Sequence, residues 1–265
     1  MFLHYTKIKA RNQVQTTLIF LHGIMGKGRN WQRFATDLLK QKPNIEAVLV
    51  DLRLHGESQD LPPPHTVQAC GQDVVSLIES EKHDGCKTIL VGHSFGGKVA
   101  LEVARQSPHL MDEIWLIDSF PGLSVKQGDA WRMIEWLKAH QGPFDSRTEV
   151  IHQLKESHFS ESISAWMATN LETEGKKLKW IFSVMDIAAM LEDYARYDLT
   201  DVLLNPPCPI HLVKGTLSPL ITDELIQKIK NTAAQFTIQI HEVKAGHWVH
   251  SENPKDLMST MMNFL

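Results

Sequence analysis

The sequence predicts an α/β protein with a mostly parallel central sheet and helices on both faces. Three observations carry that expectation. Short continuous apolar runs at residues 16–21, 45–50, 88–91 and 113–118 read as strands covered on both sides. Amphipathic helical patterns alternate with these runs, which is how a parallel sheet is connected. The alternation then stops near Leu123, and helical patterns alone continue to Asn205. We expect a core made of residues 1–122 and 206–265 and a helical cap, or lid, inserted at 123–205.

Composition narrows the classes. A chain of 265 residues suits one large domain with an insertion better than two equal domains. The formal net charge is -4 and no long basic run is present, so no electrostatic reason exists to expect nucleic acid. Cys70, Cys86 and Cys208 are odd in number and lack metal-ligand or redox spacing. They read as free thiols in a reducing compartment. The first residues hold no signal-peptide core and no stretch reaches membrane-spanning length, so a cytoplasmic protein without membrane contact is expected.

In chain order, residues 2–9 form an edge strand and 16–21 a buried one, running into His22-Gly23-Ile24-Met25-Gly26. Asn30 is placed to cap a helix with Trp31, Phe34, Ala35, Leu38 and Leu39 on one face. The strand at 45–50 leads into Asp51-Leu52-Arg53-Leu54-His55-Gly56-Glu57-Ser58, and Pro62, Pro63 and Pro64 make a stiff loop. Thr66 opens a helix reaching Ile78. Within 123–205 no strand is expected; helical spacing groups Trp131 with Ile134 and Leu137, Val150 and Ile151 with Leu154, and Ile163 with Trp166 and Met167. Four of the seven tryptophans (Trp131, Trp136, Trp166 and Trp180) lie here, which suits a cap over an apolar pocket or a glue between cap and core. A strand at 210–213, a helix to Ile229, a last strand at 236–240 and a closing helix with Leu257, Met258, Met261 and Met262 complete the chain.

The stretch from Lys87 to Ala100 organises the rest. An apolar run gives way to a helical pattern with Val99, Ala100 and Val103 on one face, and Gly92-His93-Ser94-Phe95-Gly96 lies between. This G-x-S-x-G lifts a serine out at the end of a strand, at the electropositive start of a helix. Serine-dependent acyl transfer also needs a base, an acid that orients it, and N–H donors for the oxyanion. His247 follows the last strand across Ala245-Gly246 and is the candidate base, with His250 its nearest rival. Asp118 ends a strand and is the candidate acid. The loop where the acid more usually sits reads Gly215-Thr216-Leu217-Ser218-Pro219, with serine in the expected place, and Asp223 further on is the rival. The backbone N–H groups of Ile24 and Phe95 are the candidate oxyanion donors. Asp51 reads as structural, and His93 reads as packing or bonding locally.

Taken together and in order, these pieces resemble the α/β-hydrolase superfamily over nearly the whole chain. Within it the sequence looks like the small esterases of the bacterial YbfF type and their eukaryotic abhydrolase relatives. The resemblance rests on the glycine turn at 22–26, the 51–58 loop, Gly92 to Lys98, Ile117-Asp118, Gly215 to Pro219, and Gly246 to Pro254. It implies an α/β-hydrolase fold and Asp118 as the acid, since that subgroup pairs such an aspartate with a Gly-x-x-Ser-Pro loop. Phe95 stands where the subgroup often has methionine. The implied activity is that of a serine esterase on small to medium acyl substrates, extending to acyl thioesters, through an acyl-enzyme with no cofactor and no metal. The alternatives are a C–C bond hydrolase or lyase on the same Ser-Asp-His scaffold, and a non-catalytic hydrolase-fold binding protein.

Overall fold

β-Branched and apolar runs form the central strands because a strand covered by helices buries both faces. In the computed structural model, which describes residues 2–265, β1 (Tyr5–Ile8) is followed by β2 (Thr16–Leu21), which is joined to β3 (Ile45–Val50) through α1 (Gln32–Gln41). α2 (Val67–Glu81), β4 (Lys87–His93), α3 (Phe95–Gln106) and β5 (Glu113–Ile117) follow. The chain then leaves the sheet through α4 (Asp129–Ala139), α5 (Arg147–Glu156), α6 (Glu161–Ala168), β6 (Leu171–Glu174), β7 (Lys177–Trp180), α7 (Val184–Arg196) and α8 (Thr200–Leu204). It returns as β8 (Ile210–Gly215), α9 (Asp223–Lys230), β9 (Ile238–Val243), α10 (Val249–Glu252) and α11 (Pro254–Met262).

The seven-stranded sheet runs in the order β1-β3-β2-β4-β5-β8-β9. Only β1 is antiparallel, against β3; the other pairs are parallel. Alternation along each strand sorts side chains to two faces. Leu18 and Phe20 of β2 share a core with Phe34 and Leu38 of α1 and with Leu257 and Met261 of α11. Ile19 and Leu21 share the other core with α2 and α3 through Val74, Ile78, Val99 and Val103. In register, Leu21 lies opposite Gly92 and Val50, and His93 opposite Ile117. The carboxyl ends of the central strands are therefore level, and their loops share one edge.

β5 and β8 are parallel neighbours, so everything between them stands outside the sheet. That segment departs from the all-helical expectation. β6 and β7 form an antiparallel hairpin, Leu171 opposite Trp180, closed by a two-residue loop whose Gly175 has φ 62°. A glycine with positive φ in the first loop position is what a tight hairpin uses. Two smaller differences have local causes. Asn30 does not cap α1: it lies in a 3-10 turn over Gly28–Trp31, and its side chain accepts the Lys27 N–H at 2.8 Å. The last strand begins two residues later than its apolar run, because Phe236 sits 86% exposed in a 3-10 turn over Ala233–Phe236. Among the described residues no helix is long and apolar enough to cross a membrane.

Candidate active site

The elbow at Ser94 is built by close approach. A Cβ on Gly92 would meet the Gly96 carbonyl oxygen at 2.4 Å, and one on Gly96 would meet the Leu21 carbonyl oxygen at 2.5 Å. Strand and helix therefore cross where only glycine fits. Ser94 itself takes φ 51° and ψ -115°, a conformation that costs a side-chain-bearing residue about 1–3 kcal/mol. Its N–H bonds to the Ile117 carbonyl at 3.1 Å, and its carbonyl accepts the Ser119 hydroxyl at 2.6 Å. Met25, Leu54 and Asp118 also have positive φ, and all three lie on loops at this same edge.

The elbow brings Ser94, His247 and Asp118 into one chain of hydrogen bonds. His247 Nδ1 donates to Asp118 Oδ2 at 2.7 Å, and the Ser94 hydroxyl donates to His247 Nε2 at 3.0 Å. The carboxylate fixes the tautomer: Nδ1 must carry the proton, which leaves Nε2 as the acceptor. Asp118 is fully buried. Gly215 N–H meets its Oδ1 at 3.1 Å, and the Ser218 hydroxyl meets its Oδ2 at 2.6 Å. Three donors thus satisfy a carboxylate that water does not reach.

The two rivals lie elsewhere. The Asp223 carboxylate is exposed and pairs with Lys214 at 2.9 Å. His250 is buried and stacked on Trp31 with ring centroids 4.3 Å apart, and burial pushes it down to about 3. His93 makes a long-range bond, donating Nε2–H to the His247 carbonyl at 2.8 Å. Its ring lies 4.7 Å from that of His247. Burial, with the charges of His250 and His247 adding to it, holds His93 well below the usual histidine range.

The glycine turn is braced across to the 51–58 loop by two histidines. His22 Nδ1–H donates to the Gly23 carbonyl at 2.8 Å while its Nε2 accepts the Leu52 N–H at 3.0 Å. His55 Nδ1–H donates to the Arg53 carbonyl at 2.8 Å while its Nε2 accepts the Met25 N–H at 2.9 Å. The Gly23 carbonyl also accepts the Gly26 N–H at 2.9 Å. In a trans peptide the C=O and N–H point in opposite directions, so fixing the Gly23 oxygen fixes the Ile24 N–H. Phe95 opens α3, where an N–H has no preceding turn to bond. Asp51 is structural: its oxygens receive Gly28 N–H at 2.7 Å, Glu57 N–H at 3.0 Å and His4 Nδ1 at 3.0 Å.

A hydroxyl bonded to an imidazole that is itself anchored on a buried carboxylate can pass its proton to the ring as it attacks an electrophile. Ser218, His55 and the bond from His93 to the His247 loop belong to this arrangement and were not assigned to it by sequence reasoning. For Ser218 a signal existed, since it occupies the place where an acid is more usual.

Comparison with known proteins agrees with the fold. The sequence profile of the "Alpha/beta hydrolase family" matches residues 18–260. The chain is 28% identical over 255 residues to the "sn-1-specific diacylglycerol lipase ABHD11" of Danio rerio, covering 94% of this chain and 78% of that protein. It is 26% identical to the "2-succinyl-6-hydroxy-2,4-cyclohexadiene-1-carboxylate synthase" of Citrobacter koseri, covering 94% of this chain and 93% of that protein. Among solved structures, a "Marine microorganism esterase" superposes with a TM-score of 0.84 at 25% identity, covering 100% of this chain and 99% of the other.

Proposed function

The chain belongs to the alpha/beta hydrolase family, and from that premise we propose that it is a serine-dependent carboxylic ester hydrolase, with 123–205 as a cap over the site. The observation that carries this reading is the Ser94–His247–Asp118 hydrogen-bond chain, at 3.0 and 2.7 Å. Ser94 Oγ attacks the carbonyl carbon while His247 Nε2 takes its proton. The Ile24 and Phe95 N–H groups receive the oxyanion, and Asp118 holds the imidazolium. Collapse breaks the bond to the leaving alcohol, which takes the proton from His247. Water then repeats the sequence on the acyl-enzyme, releasing the acid and restoring Ser94.

The substrates are neutral small to medium acyl esters, extending to acyl thioesters. Supporting this over a C–C bond hydrolase or lyase acting on a polyanion is the use made of the arginines. Arg53 is bound to Asp73 at 2.6 and 2.8 Å and to the Pro62 and Pro64 carbonyls. Arg147 donates to the Leu171 carbonyl at 2.8 Å. A cytoplasmic location fits the three free cysteines.

The test is turnover of p-nitrophenyl esters from acetate to palmitate, wild type beside Ser94→Ala and Asp118→Asn. Loss of turnover in both folded variants is expected. No wild-type turnover on any ester or thioester would move the assignment to C–C chemistry or ligand binding.

A further inference from the structure

The turn that presents the Ile24 N–H is gripped from outside the sheet. Asn170, between α6 and β6, is 3% exposed and donates Nδ2–H to the Met25 carbonyl at 2.8 Å. Lys27, on the same turn, sends Nζ back to the Thr169 carbonyl at 2.9 Å. The two bonds are reciprocal: a side chain of the insertion holds the turn's backbone, and a side chain of the turn holds the insertion's backbone. The 169–171 strip is in turn fixed from its far side. Arg147 Nη2 meets the Leu171 carbonyl at 2.8 Å, and the Asn170 carbonyl accepts the Ile181 N–H at 2.9 Å.

Met25 needs such a grip. It is a non-glycine residue at φ 60°, next to the Ile24 donor. Its N–H is tied to His55 and its carbonyl to Asn170, so its peptide planes are set from the core on one side and from the insertion on the other. The Met25 carbonyl that Asn170 holds shares its peptide plane with the Gly26 N–H, which donates to the Gly23 oxygen at 2.9 Å beside His22. Without Asn170 that peptide loses its anchor, and the Gly23 oxygen, with the Ile24 N–H across the same plane, is held less firmly.

We propose that Asn170 is a positioning residue for the oxyanion hole, and that its clasp with Lys27 makes the inserted segment part of the catalytic apparatus as well as a cover. The inference rests on the serine hydrolase reading above. An effect of this kind acts on the transition state and leaves ground-state binding alone.

The experiment is steady-state hydrolysis of p-nitrophenyl acetate and of a longer-chain ester by wild type, Asn170→Ala, Asn170→Asp and Lys27→Met, with inhibition by a trifluoromethyl ketone transition-state analogue. Asn170→Ala should lower kcat roughly tenfold on both esters, less than the 10²–10³-fold that follows loss of an oxyanion donor itself. KM should stay unchanged, and the ketone's inhibition constant should weaken by the same factor as kcat/KM. Asn170→Asp, nearly isosteric but aiming an oxygen at a carbonyl, should lose at least as much. Wild-type kcat on acetate, with KM raised for the long ester alone, would make Asn170 a mere pocket wall and overturn the proposal. So would a fall in kcat with undiminished affinity for the ketone. If Asn170→Ala does not fold by circular dichroism, Lys27→Met, whose side chain is half-buried, must show the same pattern or the clasp is refuted. A wild type inert to every ester removes the hydrolase reading itself, whereas an active wild type with unchanged variants removes only the clasp.

Discussion

Ser218 donates its hydroxyl to Asp118 Oδ2 at 2.6 Å, on the same oxygen that receives His247 Nδ1 at 2.7 Å. Because β5 and β8 are adjacent, the loop after β8 delivers a serine to a carboxylate that comes from the end of β5. The aspartate and the loop in which an acid more usually sits are thus different, and the serine in that loop steadies the aspartate instead. Removing its hydroxyl leaves Oδ2 with one donor. Ser218→Ala should therefore cost about tenfold in kcat, against a loss of the order of 10³-fold or more in Asp118→Asn. Asp223→Asn should leave kcat unchanged, since its carboxylate faces solvent and pairs only with Lys214. Loss of activity in Asp223→Asn with full activity in Asp118→Asn would reverse the assignment.

His93 bears on the same ring through the backbone. Its Nε2–H bond to the His247 carbonyl, at 2.8 Å, fixes the loop from which the imidazole projects. His93→Phe keeps an aromatic ring against His247, Trp248 and His250 but removes the donor. We expect a folded protein, a loss of about 1–2 kcal/mol from the unpaired carbonyl, and a kcat several-fold lower. Denaturant titration beside ester turnover reads both; an unchanged kcat would show that the bond does not position His247.

Buried neutral histidines set a limit on the acid side. Burial is the first cause that pushes His55 and His250 down to about 3, with the charge of His22 adding to it at His55 and that of His247 at His250. Their pKa values are lower folded than unfolded, so between about 6.5 and 3 the unfolded chain binds protons that the native state refuses. Stability is then complete above about 6.5 and is lost as the pH falls, by roughly 2 kcal/mol per histidine at pH 5. His250 Nδ1 meets no hydrogen-bond partner among the described residues. Phenylalanine can take the place of its ring against Trp31 without burying an unpaired nitrogen. His250→Phe should be no less stable than wild type at pH 7 and should lose about 2 kcal/mol less between pH 7 and pH 5. Parallel pH profiles for the two proteins, from denaturant midpoints, would rule this out.

How far the chain could be read in advance follows from where the information lies. Residues 16–21, 45–50 and 113–118 were legible as strands because both faces are buried, so nearly every position is apolar; the third of them closes one residue earlier, at Ile117. Ser94, Asp118 and His247 stood out because each closes a strand or follows one, and strand ends collect at one edge of a parallel sheet. The β6–β7 hairpin was not legible. Its strands read Leu-Glu-Thr-Glu and Lys-Leu-Lys-Trp, with only the outer Leu171 and Trp180 buried, so no apolar run marks them, and only Gly175 hinted at a turn. Asn170 carried no signal at all, since its partner is a backbone carbonyl 145 residues away. Phe236 misled because an apolar residue next to a strand looks like its first member.

Lys98 is the clearest case of a role set by packing alone, and it yields a prediction of its own. It lies in α3, the helix that Phe95 opens, and is completely buried. Its Nζ donates to the carbonyls of Gly122, Tyr194 and Tyr197 at 2.8, 2.8 and 2.9 Å, and sits 4.1 Å from the centre of the Tyr194 ring. Burial pushes it down to about 8, against the pull of Asp198 and Asp193, so at neutral pH it still carries the proton that makes these bonds. Tyr194 and Tyr197 lie at the end of α7, where carbonyls have no further turn to bond and a cation complements the helix dipole. One ammonium thus ties α3, which follows Ser94, to the residue just before the 123–205 segment and to the last long helix of that segment. Lys98→Met keeps the bulk but leaves three carbonyls without a donor, which should cost about 3 kcal/mol or more. The loosening should be local as well. Hydrogen exchange should quicken at residues 120–124 and 194–199 before it does in β2 or β4. A variant as stable as wild type, with exchange unchanged at those residues, would mean that packing of α7 and α8 against α3 holds the junction without the charge.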